Sequence, residues 1–254
     1  MGPQRQWLLY GGPRMAYLLV LAVGLAAGTI SGIIGTGASI MLVPVLVLAF
    51  GPKQAVPIMA IAAVMGNVAK MAVWWREIDW RACLVYSVTG IPAAALGART
   101  LLALPSRTVD LALGFFFLLM IPVGRWLNAR QLRLKLPHLA IAGAVIGFLT
   151  GVVVSTGPLS VPAFTSYGLV KGGFIATEAA SSLAVYVSKV VTFRGLGALP
   201  LDAIVKGLIT GSSLMIGAFV AKRIVLRLSP AFYRLLLDAL LLCSGLTLLW
   251  AASR

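Results

Sequence analysis

Acidic side chains are scarce in this chain of 254 residues, where six Asp and Glu stand against 21 Lys and Arg. Charged residues of both signs make up only 11% of the chain, whereas 60% is hydrophobic and the mean hydropathy is +1.01. This composition excludes a water-soluble globular domain and predicts an all-α polytopic membrane protein. The basic excess belongs to loops that face anionic lipid and the cytoplasm, so it does not indicate nucleic-acid binding.

Residues that build disulfides, metal sites or catalytic triads are equally rare. The two cysteines, Cys83 and Cys243, lie inside or at the edge of apolar runs, which argues against a disulfide framework. The single histidine, His138, begins an apolar run beside a basic loop and is interpreted as an interfacial side chain. The sequence has no phosphate-binding glycine loop with its lysine. We therefore expect no cofactor and no ATP-driven pumping by this chain, and a membrane-embedded enzyme is disfavoured.

Hydrophobic runs, by contrast, are abundant. A bilayer core takes about 20 apolar residues per helix, so the length allows roughly eight crossings joined by short loops. We predict a polar segment at 1–14, a first transmembrane repeat at 15–124, a basic cytoplasmic loop at 125–138 and a second transmembrane repeat at 139–254. The eight apolar segments cover residues 15–50, 56–75, 82–104, 109–127, 139–169, 174–193, 203–221 and 235–250.

Two of these segments, 15–50 and 139–169, are too long for one tilted helix, which needs no more than about 25 residues. Glycine and proline interrupt both segments in matching places. Such interruptions indicate discontinuous helices that line a transport site, so we predict that the first segment of each repeat is broken or re-entrant. The interruptions are Gly28, Gly32, Gly35 and Gly37 before Pro44, and Gly143, Gly147, Gly151 and Gly157 before Pro158 and Pro162.

The two halves of the chain align best at an offset of about 119 residues, which indicates an internal repeat. In this register Lys70 faces Lys189, and an intramembrane lysine repeated in register is the strongest sign of the repeat. The two most basic loops, 125–135 and 222–227, are both expected in the cytoplasm. That placement requires an odd number of elements in each repeat, which predicts an inverted topology.

Two interpretations are open for Lys70 and Lys189. Their stems can carry the ammonium groups to the interface by snorkelling. Alternatively, a lysine that costs about 2.5 to 3.5 kcal/mol at the bilayer centre is kept there as the cationic partner of an anion. The recurrence of the lysine in both halves favours an anion site. Asn67, one turn before Lys70, would share the face of its helix.

A polar stripe precedes the second lysine on an otherwise apolar helix. Glu178, Ser182, Tyr186 and Lys189 follow one another at near-helical spacing and therefore share one face, which indicates a pocket. Glu178 is either an interfacial carboxylate that the helix dipole favours near a helix start, or a proton-coupling group or ion-pair partner of a lysine. The sequence leaves that choice open.

The glycine breaks supply the other half of an anion site. A helix that restarts after a break presents free backbone N–H groups and the positive end of its dipole to the cavity, and nearby hydroxyls add donors. The alternative is that these small residues let helices approach closely, and both can hold at once. The candidate residues at the breaks are Thr36, Gly37, Ser39, Ser155, Thr156 and Gly157.

The first break carries a motif, Gly32-Ile33-Ile34-Gly35-Thr36-Gly37-Ala38-Ser39 running into Val43-Pro44, that resembles the sulfite exporter TauE/SafE family of membrane transporters. The stretch Glu77-Ile78-Asp79-Trp80 and the segment from Gly90 to Gly97 belong to the same resemblance, and the motif recurs from Gly147 to Pro162. The resemblance covers nearly the whole chain. It implies export of sulfite or of small organosulfur anions such as sulfoacetate across the bacterial inner membrane.

Together these features predict a multi-pass secondary transporter that binds a small anion between two repeats and works by alternating access. Its partners would be that anion and the lipid bilayer. Coupling to protons or to the membrane potential stays open, as does the oligomeric state, a homo-oligomer included. The alternatives are a non-transporting assembly or partner protein, for which broken helices and buried lysines would be unnecessary, and a transporter of an unrelated small solute.

Overall fold

The structure is a computed structural model that describes residues 6–34, 37–50, 52–130, 133–153 and 156–221, with residues 239, 242–243, 245–246 and 249–250. All regular structure in these residues is helical, which confirms the all-α prediction. A short 3₁₀ turn at Trp75–Glu77 joins the third helix to the fourth. The helices are α1 (Gln6–Ile34), α2 (Ala38–Phe50), α3 (Pro52–Trp74), α4 (Trp80–Ala103), α5 (Ser106–Ala129), α6 (Leu136–Val152), α7 (Gly157–Tyr167), α8 (Lys171–Gly195) and α9 (Leu201–Ala221).

Several helices have the length and composition that a bilayer requires. Four described stretches can cross a membrane: Gln54–Glu77, Trp80–Ala103, Lys171–Gly195 and Leu201–Ala221. Large apolar side chains also point outward from them, and Leu201, Val88 and Val191 are 73%, 70% and 64% exposed. Lipid is the environment that accepts such a surface, so the chain is a multi-pass membrane protein. The predicted segment 235–250 lies mostly outside the described residues.

Both long apolar stretches are divided into two helices, as predicted. The first is divided between α1 and α2, and the second between α6 and α7. The breaks are narrower than the sequence indicated, because α1 runs without interruption through Gly28 and Gly32, and α6 through Gly143, Gly147 and Gly151. A glycine inside a helix costs only about 1 kcal/mol, which tertiary packing readily offsets.

Those internal glycines permit close helix packing instead. A Cβ atom on Gly28 would collide with the backbone of Leu214 in α9, and one on Gly147 would collide with the backbone of Gly90 in α4. The glycines inside α1 and α6 therefore serve to let neighbouring helices approach closely, as in other small-residue contacts between membrane helices. The helix breaks themselves lie after Ile34 and after Val152.

Two helix pairs, joined through α3 and α8, organise the described helices. Helix α1 packs along α9, and α6 packs along α4. Helix α3 packs along α9 and α8 packs along α4, and α3 and α8 contact each other between the two pairs. Helices α2 and α7 are the short segments that follow the breaks, and α2 packs against α1 and α3. This arrangement brings the two helix breaks toward the α3–α8 contact, where the polar residues of both helices lie.

Candidate functional site

A small polar cavity lies where the two helix breaks meet α3 and α8. It encloses about 50 Å³, room for roughly three or four water molecules. Its wall combines residues from both halves of the chain, and most of the predicted site residues are among them. The polar and glycine residues of the wall are Gly28, Ser31, Gly37, Ser39, Gly66, Asn67, Lys70, Thr156, Gly157, Ser160, Glu178, Ser182 and Tyr186.

Helices α2 and α7 both begin at this cavity. Gly37 precedes α2 with φ at +107°, a left-handed conformation that glycine adopts without strain. Its carbonyl accepts the first helical bond, from the Met41 N–H at 3.2 Å. Thr156 precedes α7, and its carbonyl accepts from the N–H groups of Leu159 and Ser160, both at 2.9 Å. The positive ends of two helix dipoles are thus directed to one small volume, which favours an anion there.

A buried charge pair forms one wall of the cavity. The Lys70 Nζ lies 3.7 Å from the Glu178 Oε2, and both side chains are buried. The Glu178 Oε1 accepts hydrogen bonds from the hydroxyls of Ser160 at 3.2 Å and Ser182 at 2.8 Å. Among the described atoms, Oε2 has no hydrogen-bond partner. The structure therefore places Glu178 beside Lys70, with both side chains buried inside the protein.

Asn67 and Tyr186 complete the polar wall. Asn67 is 5% exposed and lies one turn before Lys70 on α3, as its spacing predicted. Tyr186 is 7% exposed and lies two turns after Glu178 on α8, on the same face. These side chains add an amide and a hydroxyl to the cavity, both able to donate to an anion.

Lys189 lies apart from this group and is not part of the cavity wall. Its side chain is fully buried, and its Nζ donates to the carbonyl oxygens of Thr150 at 2.6 Å and Val153 at 3.0 Å. Thr150 lies in the last turn of α6 and Val153 directly follows its last residue, where helical acceptors lack intrahelical partners. The ammonium group also lies 5.5 Å from the centre of the Phe193 ring. Lys189 therefore caps the end of a broken helix.

A second contact joins the two sides of the same break. The hydroxyls of Thr150 and Thr156 lie 2.6 Å apart, and Thr150 also donates to the carbonyl of Ile146 at 2.7 Å. The predicted site residues Thr36 and Ser155 lie outside the described residues. Ser31, Gly66 and Ser160 line the wall but were not among the predicted site residues. For Ser160, its position one turn after Gly157 was a signal that could have identified it.

Two comparisons with known proteins cover this region. The profile of the sulfite exporter TauE/SafE family matches residues 20–248. The probable membrane transporter protein y4hK of Sinorhizobium fredii is 32% identical over an alignment of 194 residues, and the match covers 68% of this chain and 73% of that protein. No solved structure matches the chain. The family match spans all the wall residues of the cavity.

Proposed function

This chain belongs to the sulfite exporter TauE/SafE family, and on that basis we propose that it exports small anions, sulfite or organosulfonates, across the bacterial inner membrane. Family membership makes it a membrane transporter and not an enzyme. The substrate class is the proposal. One observation carries it: a buried lysine and the N-terminal ends of two helices converge on one small cavity.

Within the cavity, Lys70 supplies the positive charge that an anion requires. Asn67, Ser39, Thr156, Ser182 and Tyr186 supply side-chain donors, and the backbone around Gly37 and Gly157 supplies N–H groups. Compact oxyanions suit a site of this size, whereas larger solutes would require it to expand. Lys189 has a supporting role in this proposal, because it fixes the end of α6 beside the donors of α7.

Two inverted repeats are the second element of the proposal. Shifted by 119 residues, α3 falls on residues 171–193 and α2 on residues 157–169, close to the observed α8 and α7. The same shift relates α1 to α6 and α4 to α9. It therefore relates the α1–α9 contact of the structure to the α4–α6 contact. Alternating access then follows if the α1–α9 pair and the α4–α6 pair tilt relative to each other around the cavity.

Thermal unfolding of the purified protein with a panel of anions tests this proposal. We expect sulfite or a sulfonate at a hundred times its Kd to stabilise the protein by about 2.7 kcal/mol through ligand linkage. Sulfate, sulfoacetate, taurine and simple carboxylates complete the panel and separate the anion classes. A neutral solute that alone stabilises the protein would favour the unrelated-solute alternative, and no shift with any anion would contradict the proposal.

The matched variant is Lys70→Gln combined with Glu178→Gln, which removes both charges of the buried pair and so leaves no unpaired charge. It should lose the anion-induced shift while remaining folded. Lys206→Gln is the control, because Lys206 pairs with Asp202 on α9 and does not line the cavity. An anion shift that survives in the double variant would remove Lys70 from the site.

A further inference from the structure

Glu178 presents its carboxylate to Lys70 as a bound anion would. One oxygen lies 3.7 Å from the ammonium nitrogen, and the other accepts two serine hydroxyls. These are the charge and hydrogen-bond donors that an oxyanion substrate would need. All the groups line the same cavity, so Glu178 and a substrate would compete for them.

We propose that Glu178 is a built-in counter-anion, which the substrate displaces from Lys70, and that the displaced carboxylate takes up one proton. The proposal rests on the proposed function, because it requires an anion in the cavity. Lys70 carries one positive charge and cannot balance two buried anions. The carboxylate therefore binds a proton from the aqueous phase and releases it when the anion leaves.

The surroundings of Glu178 fit both protonation states. The ionised carboxylate accepts from Ser160 and Ser182, and the protonated form can donate its O–H to one of these hydroxyls and accept from the other. The other titratable groups near it are the phenols of Tyr186 on α8 and Tyr86 on α4. Lys70 on α3 is the cation that the described helices bring to it, since Lys189 is engaged with carbonyls of α6.

The repeat register gives the stoichiometry. The position equivalent to Glu178 in the first half, 119 residues earlier, is Met59, which is fully buried and also lines the cavity. Only one half therefore contributes a carboxylate at this position. One proton accompanies each anion, and a monovalent anion moves with no net charge. Transport without the carboxylate would instead move the charge of the anion.

Flux in proteoliposomes with a clamped membrane potential tests this coupling. The probes are sulfite and methanesulfonate, the second because its charge stays at −1 near neutral pH. Methanesulfonate flux through the unchanged protein should be independent of the potential and accompanied by equal proton movement. In Glu178→Gln the potential should drive the flux. The methanesulfonate gradient at equilibrium should be close to fiftyfold at 100 mV, which corresponds to about 2.3 kcal/mol per charge. Equal potential dependence in both proteins, or continued proton movement in the variant, would overturn the proposal.

Two further measurements keep the test decisive. Glu77→Gln makes the same chemical change at an exposed position in the turn between α3 and α4, and should behave as the unchanged protein. If Glu178→Gln does not fold, methanesulfonate is added to the unchanged protein in weakly buffered detergent. The pH should rise by an amount that corresponds to the uptake of one proton per bound anion. Anion binding without proton uptake overturns the coupling alone, whereas the absence of any anion effect overturns the proposed function and the coupling with it.

Discussion

Lys70 and Lys189 hold equivalent places in the 119-residue register, yet the structure surrounds them differently. Lys70 lines the polar cavity beside the Glu178 carboxylate, whereas Lys189 is enclosed among backbone carbonyls at the end of α6. A repeated residue therefore need not repeat its role. The surroundings that the other helices supply decide whether a buried lysine meets a ligand or supports the backbone.

The difference extends to the two helix breaks. Position 37 is a glycine in a left-handed conformation, whereas the equivalent position 156 is a threonine with φ at −118°. Thr156 bonds to Thr150 across its break. The second break is thus held by side chains that include a lysine and two threonines, whereas in the described part of the first break a glycine in the left-handed conformation begins α2. This contrast can be tested at each of its parts.

The largest effect is expected from Lys189→Met. It removes two charge-assisted hydrogen bonds and leaves the carbonyls of Thr150 and Val153, at the end of α6, without this donor. The expected cost is about 3 kcal/mol in the free energy of unfolding. Thermal unfolding should show the loss, while stabilisation by the anion persists in the folded variant. Lys206→Met, at a partly exposed site, should stay within about 0.5 kcal/mol. An unchanged melting temperature together with loss of the anion-induced shift would contradict this prediction. Lys189 would then bind the anion, as proposed for Lys70.

A smaller loss is expected from Gly37→Ala. An alanine at φ +107° is strained although space is open there, so the variant should lose about 1 to 2 kcal/mol. The same substitution at Gly197, at φ +71° and also in open space, is the matched control. Both should lower the melting temperature, but Gly37→Ala alone should weaken the anion shift, since it disturbs the start of α2. Equal anion shifts would remove the first break from the site.

The smallest effect is expected from Thr156→Val, which keeps the shape of the side chain and removes its hydrogen bond to Thr150. A loss of about 1 kcal/mol should follow, and Thr156→Ser should restore most of it because the hydroxyl returns. Equilibrium unfolding of the three proteins measures this. If Thr156→Ser were no more stable than Thr156→Val, the hydroxyl contact across the break would not contribute to the free energy of unfolding. Packing of the threonine methyl group would then account for the stability.

Local pattern predicted the helices and the positions of both breaks, because apolar run length and glycine-proline interruptions are properties of short segments. It also placed Asn67 and Lys70 on one face, since that needs only helical spacing. The sequence could not decide whether Glu178 pairs with a lysine or lies at the interface. Glu178 is distant from Lys70 along the chain, and their contact depends on how α3 meets α8. Contacts between distant segments also decide the surroundings of Lys189, whose acceptors lie at the end of α6. The packing of Gly28 and Gly32 likewise depends on the position of α9.

The glycine contacts also bear on how the protein is made. Helices α4 and α6, which pack through glycines, are separated in the chain only by α5 and its short connections. Helix α1 packs against α9, which begins only at Leu201. During synthesis the close-packing face of α1, with Gly28 and Gly32, therefore stays without its α9 partner until almost the whole described chain has been made. We expect insertion to proceed from a centre formed by α4 and α6, and α1, the first of the described helices, to be among the last to reach its final neighbour.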